Sequence, residues 1–401
     1  MQDAIPISEG VYFVGVNDFQ TDLFEAIWPL PRGVSYNSYL IDDDKVVLVD
    51  TVKSSFFDTY VDKLQRVLDG KKIDYLVVNH MEPDHSGSIK LLLQLNPEME
   101  IVGNKKTADF LNNFYGITDN VKIVADGDVI DLGKHKLNFF LTPMVHWPET
   151  MMTFESTDGI LFSGDAFGGF GALAGGIFDD EVDIDIFENE TLRYFSNIVG
   201  KYSPMVQKAL AKVGGNDIRI VAATHGPVYR SNPAYIIGQY DRWSSYEAEK
   251  GAVVAYASMY GNTERMAEAT ARGLAENGID TVLLHNVSRT HLSYLITDTW
   301  RYKGLVLGSC TYNMKLFPLM ESLVRSLDPK MMQTRITGLF GSFSWSGGAL
   351  KALKQQAEES KWNLEEPSVE VKSGPTEEDL DQCYLLGKNV AQKVNAAFEN
   401  D

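Results

Sequence analysis

The chain has 401 residues, 44% hydrophobic and 23% charged, with a formal net charge of −19. That length exceeds one ordinary core and predicts about two domains, and the balance is globular rather than disordered. The acidity argues against nucleic acid and anionic membrane surfaces as partners, because no compensating basic patch accompanies it.

Residues 1–6 lack the basic start and apolar core of a signal peptide, and no apolar run approaches the ~20 residues needed to span a bilayer. Short strands are predicted over residues 11–16, 35–41 and 46–50, with Asp43 and Asp44 turning the second into the third. A helix is expected from Ser54 or Ser55, with Phe56, Tyr60, Leu64 and Val67 on one face. Residues 75–78, Tyr-Leu-Val-Val, read as a buried strand. Its end delivers His80-Met81-Glu82-Pro83-Asp84-His85, four potential metal ligands within six residues. One carboxylate there would be explained by capping a helix near Ser88. Two imidazoles interleaved with two carboxylates point instead to metal.

Further strands at residues 100–102 and 137–141 alternate with helical stretches, which predicts a layered α/β sandwich. Three more candidate ligands stand where predicted strands end: His146, Asp165 and His225. Each alone is weak, since a single histidine is more often a packing or surface residue. The repetition carries the argument, because loops at the carboxyl ends of strands gather on one edge of a sheet. His80, Glu82, Asp84, His85, His146, Asp165 and His225 would then share one pocket. That set suits two metal ions with three terminal ligands each and one bridging carboxylate. The glycine-rich residues 168–175 lack the spacing of a dinucleotide loop and are expected to form a flexible segment beside this pocket.

The charged residues 245–250 read as a linker, dividing the chain into domains at 1–249 and 250–401. Beyond it, strands are predicted at residues 252–256, 281–284, 304–308, 336–340 and 369–371. A helix follows from Thr263, with Met266, Ala267, Thr270, Ala271 and Leu274 inward and Gly278 closing it. A last helix covers roughly 376–398. Five strands alternating with helices predict a doubly wound parallel five-stranded sheet. In the order 2-1-3-4-5, the loops after the first and third strands flank the switch-point crevice.

The first of those loops, Ser258, Met259, Tyr260, Gly261, Asn262 and Thr263, opens directly onto a helix and forms an anion cradle. No G-K-[S/T] follows, so it is not a Walker loop, and a simple helix cap is the competing explanation. Two later loops shift the balance: Ser309, Cys310, Thr311, Tyr312 and Asn313, and Ser342, Phe343, Ser344, Trp345, Ser346 and Gly347. Both combine aromatics with small polar residues, as a flat heterocycle requires. The only cysteines, Cys310 and Cys383, are too far apart for a CxxC pair, a zinc finger or a cysteine-ligated iron–sulfur site. A reducing cytoplasm is the expected location.

The pattern His80, Glu82, Asp84, His85, then His146, Asp165 and His225, resembles the metallo-β-lactamase-like fold in order and spacing. Zinc hydrolases of that fold normally carry histidine where this chain has Glu82, and a hard carboxylate there favours iron. The variant H-x-E-x-D-H resembles the flavodiiron proteins, and the three loops of the second half resemble flavodoxins. The two resemblances together cover nearly the whole chain. They imply a metallo-β-lactamase-like αββα sandwich followed by a flavodoxin-like domain. They also imply one iron on His80, Glu82 and His146, a second on Asp84, His85 and His225, and Asp165 between them. Tyr194 matches a tyrosine lining the diiron pocket in relatives. FMN is implied in the second domain, with its phosphate on Ser258, Tyr260, Gly261, Asn262 and Thr263. Its ring would lie between residues 311–313 and 344–346, with Cys310 nearby but not acting as a redox thiol.

The expectation is therefore a reductase that passes electrons through FMN to two iron ions, reducing dioxygen to water or nitric oxide to nitrous oxide, with a lean toward oxygen. The family implies a head-to-tail homodimer, or a dimer of dimers. With no CxxC pair in the chain, the electron donor is expected to be separate: rubredoxin, a reduced deazaflavin or an NAD(P)H-linked reductase. The competing readings are a zinc hydrolase with an accessory flavodoxin domain, and an electron carrier with a structural metal domain.

Overall fold

The computed structural model describes residues 4–330 and 334–399, and the chain separates into two compact units, Met1–Ser245 and Tyr246–Asp401. In the first unit a seven-stranded sheet runs in the order Ile5–Ser8, Val11–Phe13, Tyr39–Ile41, Val47–Val49, Tyr75–Val77, Glu100–Gly103, Val121–Ile123. The last four of these strands are mutually parallel. A five-stranded sheet, Val129–Asp131, Lys136–Leu141, Met151–Glu155, Ile160–Phe162 and Ile220–Ala222, faces it. Val47, Val49, Val77 and Val102 from one sheet meet Leu137, Phe139, Ile160 and Phe162 from the other in a single core. Leu48 and Leu76 point away from that core yet are equally buried, so these strands are apolar on both faces, as parallel strands under helices must be.

Two expected strands are each broken in two. Residues 11–16 become Val11–Phe13 and Val16–Asp18, and residues 35–41 become Val34–Tyr36 and Tyr39–Ile41. The inner halves, Val16–Asp18 and Val34–Tyr36, leave the main sheet and pair with each other. Gly15 permits the departure, because a Cβ there would lie 2.6 Å from the Tyr36 carbonyl oxygen. Asn37 fixes it by donating to the carbonyls of Ala223 and Gly226, both at 2.9 Å. The predicted helix runs Phe57–Leu68 and buries Tyr60, Leu64 and Leu68.

The second unit is one parallel sheet in the order Val282–Asn286, Glu249–Ala257, Tyr302–Cys310, Ile336–Phe343, Asn363–Lys372. In sequence terms this is 2-1-3-4-5. The first strand takes in Glu249 and Lys250, which the sequence reading gave to the linker. The final helix, Glu377–Phe398, starts at a reciprocal cap between Thr376 and Asp379. It lies against the helix Asn262–Glu276 at two glycines: a Cβ on Gly387 would sit 2.1 Å from the Thr270 carbonyl oxygen, and one on Gly273 2.2 Å from that of Tyr384.

Those contacts are with backbone, which cannot swing aside. Gly387→Val therefore lowers the stability of the second unit by about 2 kcal/mol, the usual scale of overpacking, outweighing a helix-propensity gain of under ~1 kcal/mol. Urea unfolding of the full chain followed by circular dichroism checks this, and an unchanged midpoint would refute the close helix contact.

Candidate metal centre and cofactor crevice

The metal-ligand candidates stand where strands of the first unit end. Tyr75–Val77 lies between parallel neighbours and is followed by residues held by Asp50, whose carboxylate accepts from the Asn79 backbone N–H at 2.8 Å and the Asn79 amide at 2.9 Å. Pro83 opens a single helical turn, Pro83–Ser86, so Asp84 and His85 are set on a helix rather than in an open loop. His146 lies between Lys136–Leu141 and Met151–Glu155, Asp165 follows Ile160–Phe162, and His225 follows Ile220–Ala222. All seven groups converge.

They form two clusters: His80, Glu82, His146 and Asp165, and Asp84, His85 and His225. In the first, the Nε2 atoms of His80 and His146 lie 3.3 and 3.2 Å from Glu82 Oε2, and 3.3 and 3.2 Å from Asp165 Oδ2. In the second, those of His85 and His225 lie 3.2 and 3.4 Å from Asp84 Oδ2. Asp165 Oδ1 faces this second cluster, 3.1 Å from His85 Nε2 and 3.8 Å from that of His225. One carboxylate thus gives an oxygen to each cluster.

The spacing fits metal ions. Ligands about 2.1 Å from a metal stand about 3.0 Å apart at a right angle and about 3.4 Å apart at a tetrahedral angle. Both oxygens of Asp84 are buried and accept no hydrogen bond among the described residues. The Nε2 atoms of His85 and His225 approach each other to 3.1 Å. Two imidazole nitrogens directed at each other, beside an unsatisfied carboxylate, are a donor set that suits a cation once their protons leave.

Outer contacts aim the donors. His80 Nδ1 faces Glu149 Oε1 at 2.8 Å, and His225 Nδ1 donates to the Ser35 carbonyl at 2.7 Å, which leaves each Nε2 directed inward. Thr224 and Tyr194 donate to Asp165 Oδ1 and Oδ2 at 2.6 and 2.9 Å. Burial opposes the charged form of His85, but Asp84 and Asp165 outweigh it and hold the group up at about 9. Burial likewise opposes a charged His146, and Asp165 and Glu82 raise it to about 9. Burial opposes ionised Asp165 as well, yet the surrounding histidines hold it well below the usual carboxylate range.

Tyr194 closes the helix Ile184–Tyr194, fully buried and edge-on to Phe24 and Phe170, with ring centroids 6.0 and 5.1 Å away. Of the segment 168–175 expected to be flexible, residues 168–173 are buried, while Ala174 and Gly175 are exposed. Gly169 passes so close to this helix that a Cβ would lie 2.4 Å from Thr191 Oγ1. Sequence reasoning missed Asp50, Glu149 and Thr224. Asp50 closes a predicted strand and Thr224 precedes a ligand, while Glu149 offers only its place three residues after His146.

In the second unit the loops after the first, third and fourth strands meet at a crevice lined by Ser258, Met259, Tyr260, Asn262, Thr263, Cys310, Thr311, Ser342, Phe343 and Ser344. Ser373, not foreseen from sequence, also lines it. Gly261, at φ +89°, turns the chain into the helix Asn262–Glu276 and donates its N–H to Ser258 Oγ at 3.0 Å. Thr263 and Ser342 share a hydroxyl hydrogen bond of 2.9 Å that joins the first and fourth loops. Ser309 faces elsewhere, donating to the Cys310 carbonyl and accepting from Phe317 N–H. Gly261, Tyr312, Asn313, Trp345, Ser346 and Gly347 lie outside the lining. Tyr260 and Trp345 are 92% and 89% exposed. Burial pushes the Cys310 thiol up, so it is a poor nucleophile. A helix N-terminus with hydroxyls around it suits a phosphate, and the exposed aromatics suit a flat ring.

Residues 34–226 match the ODP family beta lactamase and residues 254–387 match flavodoxin. The chain is similar to the nitric oxide reductase of Moorella thermoacetica, 34% identical over 399 residues that cover 98% of this chain and 100% of that one. It is similar to the anaerobic nitric oxide reductase flavorubredoxin of Escherichia coli, 33% identical over 397 residues that cover 97% and 82%. Among solved structures, rubredoxin oxygen:oxidoreductase from Desulfovibrio gigas aligns with a TM-score of 0.94 at 28% identity, covering 98% of this chain and 99% of that one. The flavodiiron protein from Giardia intestinalis aligns with a TM-score of 0.95 at 28% identity, covering 100% and 98%. Likeness this complete, through both units and nearly the whole of each chain, shows that the chain is an oxidoreductase of the flavodiiron protein family.

Proposed function

We propose that this chain takes electrons from a separate donor through FMN to a diiron centre, where dioxygen is reduced to water or nitric oxide to nitrous oxide. The observation that carries the reading is Asp165, whose two carboxylate oxygens face two separate clusters of imidazole and carboxylate donors. His80, Glu82 and His146 would hold one iron, and Asp84, His85 and His225 the other. FMN and two ferrous ions, when bound, supply the four electrons that dioxygen requires and relay them singly or in pairs. Relatives are named for each gas, so both belong in the same assay.

The side chains prepare the site. Glu149 and the Ser35 carbonyl hold protons on the outer nitrogens of His80 and His225. Burial and the adjacent Asp165 push Tyr194 well above the usual phenol range, so its hydroxyl keeps its proton and remains a donor at Asp165 Oδ2. Phe24 and Tyr36 pack edge-on against His225, with centroids 5.4 and 5.9 Å away, and keep bulk water from that side. In the second unit Ser258, Tyr260, Gly261, Asn262 and Thr263 would hold the FMN phosphate, and residues 311–313 and 344–346 the ring. A cytoplasmic setting is supported by two buried free cysteines, Cys310 and Cys383. The zinc hydrolase alternative is not favoured, because Glu82 replaces a nitrogen donor and the relatives are oxidoreductases.

Three outcomes follow. Neutral imidazole is the metal ligand, and in the metal-free cage His85 and His146 stay protonated up to about 9. Their stabilisation of the metal-free fold is complete below ~6.5, the unfolded histidine value, and is lost as pH rises through about 9. Metal uptake therefore releases protons, and apparent affinity climbs with pH toward 9; calorimetric titration showing pH-independent uptake would contradict this. Asp165→Ala, removing the shared ligand, slows gas-driven reoxidation of the flavin by about 100-fold or more while FMN stays bound. Stopped-flow mixing with each gas reads it, and unchanged turnover would refute the diiron mechanism. We also assign a head-to-tail homodimer, supported by the exposure of Tyr260, Trp345 and Met314, at 92%, 89% and 67%. Sedimentation of a fully active enzyme as a strict monomer would rule it out.

A further inference from the structure

The two halves of the metal cage are matched in their inner groups. Each has two imidazoles, one carboxylate of its own, and one oxygen of Asp165. The hydroxyls on Asp165 balance too, Tyr194 on Oδ2 and Thr224 on Oδ1. The difference lies one contact further out. In the first half, His80 Nδ1 faces the carboxylate of Glu149 at 2.8 Å, with both side chains 0% exposed. In the second, His225 Nδ1 faces the neutral Ser35 carbonyl, and His85 Nδ1 has no hydrogen-bond partner among the described residues.

The other nearby charges lean to both halves, and among the described residues none bonds the outer nitrogen of a ligand histidine as Glu149 does. Lys53 and Asp18, near Tyr36, are paired with each other at 3.4 Å. Buried Asp50 interacts more strongly with His85 than with His80, a lean toward the second half. Glu25, whose carboxyl is raised by burial and by Glu82, interacts more strongly with Glu82 than with Asp84, a lean toward the first half.

An imidazole bonded through its far nitrogen to a carboxylate is a more basic metal ligand than one bonded to a carbonyl. We propose that Glu149, acting through His80, makes the two metal positions unequal in potential, so that the ion held by His80, Glu82 and His146 is oxidised before the one held by Asp84, His85 and His225. The proposal rests on the diiron reading above. Each oxidation converts one ferrous ion to ferric and passes one electron to the oxidant, which in a titration is an added mediator. Glu149 touches neither metal nor substrate and is a positioning residue.

The test is an anaerobic redox titration of the iron-loaded protein, read by electron paramagnetic resonance and Mössbauer spectroscopy. The parent shows two midpoints, with a mixed-valent signal between them. In Glu149→Gln, which keeps a hydrogen bond and removes the charge, the lower midpoint moves up, the upper moves by less, and the maximum yield of the mixed-valent signal falls. Glu149→Asp restores most of the separation. Equal movement of both midpoints, no movement, or movement of the upper one alone overturns the assignment, as does a parent that loses both electrons at a single potential. If the Gln variant loads less iron than the parent, the Asp variant decides by the same criterion: its weaker hydrogen bond moves the lower midpoint up by a smaller amount. Failure of the diiron reading itself looks different, because the parent then takes up fewer than two irons per chain and shows no iron couple, which sinks both.

Discussion

Four imidazoles and three carboxylates lie close together in the interior of the first unit, and they pose a problem of charge before one of catalysis. An ionised carboxylate taken out of water without a partner costs several kcal/mol. Asp84 makes the problem plain, since its buried oxygens find no hydrogen-bond donor among the described residues. Such a cluster is stable only when protons or cations neutralise it. Without metal, the carboxylates that raise His85 and His146 and the histidines that depress Asp165 favour protons in that role. The inward Nε2 atoms of His85 and His225, 3.1 Å apart, make the cage suited to a cation as well.

Holding seven donors in place falls to the strand ends. They come from four separate stretches of chain, and no loop alone could keep them registered. Asp50 ties the exit of Tyr75–Val77 to the end of its neighbour Val47–Val49. Asn37 ties the ribbon that carries Ser35 to the segment that carries His225. The broken strands are therefore part of the site: a continuous strand over residues 35–41 would leave Ser35 in the main sheet, unable to reach the His225 ring. Gly169 serves the same end by letting the chain beneath Tyr194 approach the helix that positions its hydroxyl.

Most of this was legible in the sequence, for a reason that also marks the limit. Ligand chemistry shows itself by residue type, and strand ends by apolar runs that stop, so His80, His146, Asp165 and His225 stood out together. The parallel sheet of the second unit was legible for the same reason, down to its strand order. Contacts that orient a ligand have no such mark. Glu149 meets a histidine 69 positions away, and its composition does not distinguish it from nearby Glu155, which merely accepts from Thr157 and Asp158 N–H in a turn. Glycines misled in the opposite sense. The run at 168–175 suggested looseness, whereas Gly169 is there because nothing larger fits.

The two sites solve opposite electrostatic problems with one topological device. Both sit at the carboxyl ends of strands, where diverging loops leave a crevice. The metal centre gathers formal negative charge for a cation. The crevice of the second unit suits an anion in a chain of net charge −19, yet no lysine or arginine lines it among the described residues. Backbone dipoles resolve the conflict. The N-terminus of the helix Asn262–Glu276 carries partial positive charge within its first turn, and the one acid there, Glu264, is turned aside to accept from the Tyr256 hydroxyl at 2.7 Å. A field that short in range is insensitive to the acidic surface around it. A phosphate held there would depend on where Gly261 turns the chain, and backbone dipoles would let a strongly acidic protein keep a phosphate-bearing group without a compensating basic patch.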